Sequence, residues 1–145
     1  TAQGPYRRVL VPLDLSEGAM RALATSLAIA PNAEVRVVHA WRPPLAALAQ
    51  RHGLPDSIVK ENEEIRASIE RVDKRAVTGS VTQGRVLNVD MIEDNPYAVL
   101  RSERGWPDLL AMGTHARSRL ATDMIGNLAR HMLAEASCDV LVARP

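Results

Sequence analysis

Short runs of Val, Leu, Ile and Met alternate in this chain with longer stretches whose apolar residues recur every three or four positions. A run of four to eight apolar residues stopped by a turn signal reads as a strand buried on both faces. Recurrence at three and four reads as a helix with one apolar stripe. Residues 8–13, RVLVPL, form the first such run, and Asp14 stops it. Ser16 then caps a helix with Glu17 in its first turn; Ala19, Leu23, Leu27 and Ala30 share one face until Pro31-Asn32 ends it. Residues 34–41, EVRVVHAW, are a second strand. Residues 42–55 hold Pro43, Pro44, Gly53 and Pro55 and read as irregular. Asp56 or Ser57 opens a long helix with Ile58, Ile65, Ile69, Val72 and Ala76 on one face, broken at Thr78-Gly79-Ser80. A third strand is expected over 85–91, a short helix from Asn95-Pro96 toward Gly105, and a fourth strand over 108–112. Residues 126–136 read as helical and 139–143, DVLVA, as a last strand.

Five strands alternating with four helices predict an α/β fold with a doubly wound parallel sheet and helices on both faces. The 145 residues contain no composition shift that marks a linker, so one domain is expected over 1–145, with 1–6 as a flexible extension. In such sheets ligands sit beyond the carboxyl ends of the strands, near the switch in strand order. Asp14, Trp41 and Gly113 all fall at predicted carboxyl ends. The short DVLVA strand is expected at a sheet edge, where it is open to pairing with a second copy or to cover by the chain's own termini.

The stretch MGTHARSRLATDMIGN, residues 112–127, runs from the end of the fourth strand to the start of the last helix. A helix amino terminus offers free N–H groups and partial positive charge, and a glycine there lets a phosphate come close. Gly126 stands at that helix start and Gly113 at the strand end, with His115, Arg117 and Arg119 between them as cationic donors. The same glycines are equally explained by turn geometry alone. No G-x-x-x-x-G-K-[ST] occurs, and VPLDLSEG stands where a dinucleotide fold would carry G-x-G-x-x-G.

Composition removes other classes. The net charge of +1 supplies no concentrated positive field for nucleic acid or membrane surfaces, and four aromatic residues without a Phe leave little to stack bases on. One cysteine, Cys138, excludes an internal disulfide and points to a reducing compartment, the cytoplasm. No run approaches the roughly 20 apolar residues that span a bilayer. His39, His52, His115 and His131 show no metal-ligand spacing, so no site of protein ligands alone is expected. No paired catalytic carboxylates or Ser/His/Asp arrangement is evident, and Asp14, at a strand end in the expected cleft, reads either as a turn and cap residue or as a general base or metal ligand. Cys138 reads as an inert buried thiol.

The frame VLVPLDLSEGAMRAL, then VRVVHAW, AMGTHARSRL, IGN and CDVLVARP, resembles the universal stress protein family from end to end. The resemblance implies an adenine-nucleotide-binding type of α/β fold and, in ATP-binding members, G-x-x-G-x(9)-G-[ST] after the fourth strand. Here Gly113 and Gly126 keep the spacing, while Ala116 stands at the second glycine and Asn127 at the Ser/Thr position. An alanine methyl crowds the approach of ribose or phosphate, and Asn127 keeps an N–H₂ donor but takes more room. Carried over position by position, Pro12, Asp14 and Ala40 would surround adenine and ribose. Met112, Gly113, Ala116, Gly126, Asn127 and Leu128 would line ribose and phosphates. The implied function is a stress-response protein that binds ATP as a regulatory ligand, with at most slow hydrolysis and with Mg²⁺ arriving on the phosphates. The alternative is a non-nucleotide homodimeric interaction module of the same fold, motivated by Ala116 and Asn127. The family also implies a homodimer through the last strand.

Overall fold

The computed structural model describes residues 4–114 and 127–145. Within them lie five strands, β1 Arg8–Pro12, β2 Glu34–Trp41, β3 Val89–Glu93, β4 Leu109–Gly113 and β5 Asp139–Ala143. The helices are α1 Glu17–Ile29, α2 Ala46–His52, α3 Asp56–Ala76, α4 Pro96–Glu103 and α5 Asn127–Glu135. All four strand pairings are parallel, in the order β3-β2-β1-β4-β5. The chain therefore winds outward from β1 through β2 to β3, then crosses back to β4 and β5. The reversal leaves a crevice beyond the carboxyl ends of β1 and β4.

Strand alternation distributes the core over both faces. Val9, Val11, Val37 and Ala111 pack under Ala19, Leu23 and Leu27 of α1. Leu10, Val38, Leu110 and Met112 point the other way, to Val99 and Leu100 of α4 and to Ala129 and Met132 of α5. Both capped helices start where the sequence places them: Ser16 Oγ accepts from Ala19 N at 3.1 Å, and Asn95 Oδ1 from Ala98 N at 2.9 Å.

Three expectations need correction. The stretch 42–55 is not irregular throughout, because its breakers bracket residues 46–52 rather than interrupt them, and AALAQRH is rich in good helix formers. The third strand begins four residues later than expected. Arg85 is held instead by its guanidinium on the carbonyls of Ala33 (2.6 Å) and Pro31 (3.4 Å), and Val86 is 93% exposed. On α3, Val72 is 48% exposed, and the neighbouring Asp73 takes the inner position. The inward stripe steps through the half-buried Ile58, Asn62, Ile65, Ile69 and Ala76 and the buried Asp73, so two of its members are polar and an apolar count misses them.

At the amino end, the amides of Arg7 and Arg8 donate to Asp108 at 3.0 and 2.9 Å, and the Tyr6 hydroxyl donates to Asp139 at 3.0 Å. Tyr6, the last residue of the expected extension over 1–6, is thus bonded to the first residue of β5, and residues 1–3 lie outside the described residues.

Candidate functional site

The crevice is built by the turn after β1, the ends of β2 and β4, and the first turns of α4 and α5. Asp14 Oδ1 accepts from the Ser16 amide at 3.0 Å, which folds the chain from β1 into α1. That turn holds Leu15 at φ 60, the left-handed region that a branched side chain seldom adopts. Leu15 nevertheless packs against the α1-side core, so burial offsets part of the strain. The turn role read for Asp14 is real, and its side chain also lines the crevice.

Six of the nine residues expected around a ligand meet at one cavity of about 80 Å³: Pro12, Asp14, Ala40, Met112, Gly113 and Leu128. Asn127 lies instead in an adjoining groove between α4 and α5, which shares Pro96 and Leu128 with the cavity and holds about 540 Å³. Ala116 and Gly126, with His115, Arg117 and Arg119, lie outside the described residues. The sequence reading missed Val38, Pro96, Val99 and Leu100 in the wall. The signal was there: Val38 is two residues before Ala40 on the same strand face, and 96, 99 and 100 share one face of α4.

Asp14 is the only ionisable residue among the described lining, and the remaining wall is apolar. A flat heterocycle fits such a wall, and a carboxylate at its mouth accepts from hydroxyl or amine donors. Among the described residues no group of three or more His, Cys, Asp or Glu is placed to hold a metal ion.

Gly113 has a structural duty as well. A β-carbon there would run into the backbone of Gly18 and Ala19, lying 2.9 Å from Ala19 Cα. Gly18 in turn faces the Thr114 carbonyl oxygen at 3.0 Å from where its own β-carbon would be. The paired glycines let the start of α1 lie directly on the end of β4.

Asp73 and His39 form a second polar feature, on the other face of the sheet. His39 Nδ1 lies 2.7 Å from Asp73 Oδ2, and Asp73 is fully buried. Burial pushes the Asp73 carboxyl above its ordinary range, against the lowering influence of His39. Asp73 Oδ1 has no hydrogen-bond partner among the described residues. His39 is partly buried and Asp73 fully so, and the two form one polar pair on the α1 side of the sheet. On the crevice side, burial also raises the Cys138 thiol, in keeping with an unreactive sulfur.

Comparison with known proteins agrees with this architecture. The model of the universal stress protein family matches residues 5–144. A curated relative from Thermus aquaticus, named as a universal stress protein in the 3′ region of a QAH/OAS sulfhydrylase, is 28% identical over 146 residues, covering 96% of this chain and 99% of its own. Among solved structures, hypothetical protein MJ0577 superposes with a TM-score of 0.74 at 17% identity, covering 98% of both chains. Universal stress protein UspA from Lactobacillus plantarum gives 0.64 at 18%, covering 98% of this chain and all of that one. A universal stress protein in complex with cAMP gives 0.58 at 20%, covering 97% and 98%.

Proposed function

The chain belongs to the universal stress protein family across residues 5–144, and on that premise we propose that it binds an adenine nucleotide, ATP, as a regulatory ligand. The observation that carries this reading is the convergence of Pro12, Asp14, Ala40, Met112, Gly113 and Leu128 on one apolar cavity at the switch point of the sheet. The base enters between Pro12, Ala40 and Met112, and Asp14 accepts from the ribose hydroxyls. The cavity alone is small against the roughly 300–1,000 Å³ of whole-ligand pockets. Ribose and phosphates therefore extend past Gly113 and Leu128 toward Asn127, where the amino terminus of α5 meets the negative charge. That a structural neighbour is described in complex with cAMP supports a nucleotide of this class.

Bound ATP supplies triphosphate charge and, with Mg²⁺, an ion already coordinated by phosphate. The described lining offers one carboxylate and no lysine clamp, which favours retention of the nucleotide over its turnover. The protein works as a cytoplasmic stress-response homodimer joined through β5, in which the nucleotide state is the signal.

Calorimetric titration of nucleotide-stripped protein with Mg-ATP, repeated with AMP, tests the reading. One-per-subunit binding at micromolar concentration is the expected result. An absence of heat at millimolar nucleotide overturns it in favour of an interaction module that has kept the fold without the ligand, the outcome that Ala116 and Asn127 motivate.

A further inference from the structure

Ala40 and Trp41 are neighbours at the end of β2, yet alternation sends them to opposite faces of the sheet. Ala40 lines the crevice; Trp41 lines a separate cavity of about 410 Å³ between α2, α3 and the ends of β2 and β3. That volume lies within the roughly 300–1,000 Å³ of small-molecule pockets. Its body is apolar, from Trp41, Pro43, Ala46, Leu54 and Val59, and its lip carries Glu63, Arg66 and Glu93. The Asn62 amide donates to the Pro44 carbonyl at 3.4 Å and ties α3 to the turn that leads into α2.

The lip is electrostatically unbalanced. Neither Glu63 nor Glu93 makes an ion pair among the described residues. Arg66 is partly offset by Glu70, one turn further along α3. Arg66 makes no ion pair among the described residues either, so the lip carries two carboxylates against one guanidinium, and that net negative charge favours a cation over an anion. Trp41 adds to the same preference, because indole is the strongest aromatic partner for a cation. The residue is 9% exposed, and its Nε1–H is buried with no partner among the described residues. An ammonium ion has no acceptor for that N–H, so what the indole offers a cation is its π face.

We infer that this cavity is a second small-molecule site, separate from the nucleotide crevice, which takes an organic ammonium ion with a compact aromatic or branched aliphatic body. The chain has two tryptophans, so Trp106→Phe leaves Trp41 as its only indole reporter. Titrating that variant with phenethylammonium, and separately with 3-phenylpropionate, compares opposite charges on one hydrocarbon body. The ammonium is expected to bind at least about tenfold more tightly than the carboxylate. The double change Glu63→Gln with Glu93→Gln removes that preference, and Mg-ATP binding and melting temperature stay unchanged. In the otherwise natural chain, Trp41→Phe is expected to weaken phenethylammonium binding in calorimetry without lowering the melting temperature. The inference is overturned by any of four results. These are no saturable response to phenethylammonium at millimolar concentration, equal binding of the carboxylate, no loss in the Gln variant, or a parallel loss of ATP binding.

Discussion

Gly113 meets two demands at once. From the sequence it reads as a glycine that admits a ligand, whereas the structure shows it admitting the backbone of Gly18 and Ala19. Replacing it with alanine should cost on the order of 3 kcal/mol of unfolding free energy in denaturant titrations, because neither neighbouring backbone can retreat like a flexible side chain. A stability change below about 0.5 kcal/mol would show that the glycine serves only the ligand. Asp73 predicts a pH dependence. Burial raises its folded-state pKa, so its stabilising contribution is complete below the unfolded value, about 3.9, and is lost as pH rises through the folded value. The Asp73→Asn variant should therefore gain stability relative to the natural chain as pH rises above about 4. Paired urea titrations at several pH values measure this, and a stability difference flat with pH would refute it.

The elements were legible to the extent that their signals were local. Ser16 announced α1 as a capping residue before an apolar stripe, Asn95-Pro96 marked the start of α4, and both Ser16 and Asn95 make cap bonds. Asn95→Ala should lower stability by about 1 kcal/mol in chemical denaturation, the ordinary worth of a helix cap. Where a distant partner decided the outcome, sequence reasoning slipped. Residues 85–87 have strand composition, but Arg85 finds better acceptors on Ala33 and Pro31, so pairing with β2 begins only at Val89. Asp73 escaped because its inward position is stabilised by His39, 34 residues away in the chain. In each case a polar contact outweighed an apolar pattern.

At the scale of the whole molecule, β5 lies on one edge of the sheet with all five of its residues only half buried. Val140 and Val142 pack on the α4 and α5 face and Leu141 on the α1 face, while no strand among the described residues pairs with the outer edge of β5. Sedimentation equilibrium at micromolar concentration should give the mass of a dimer, and Val142→Arg should shift it to monomer. A natural chain that sediments at 15.8 kDa throughout would reject the β5 homodimer. Nucleotide acts on the molecule as a whole too: at a hundred times its dissociation constant, Mg-ATP should add about 2.7 kcal/mol of stability.

The alternation of strand and helix, the parallel sheet and the rim on which Asp14 and Gly113 sit were all determined by the sequence, because apolar periodicity and capping act over a few residues. Six of the twelve residues in the cavity wall were also legible in it, through a family frame that spans almost the entire chain. The tertiary structure alone decided that Gly113 serves α1, that Asp73 rather than Val72 turns inward, and that Ala40 and Trp41 open onto different cavities. Those outcomes depend on which backbones and side chains meet across the sheet, and no local pattern in a single chain encodes such a meeting.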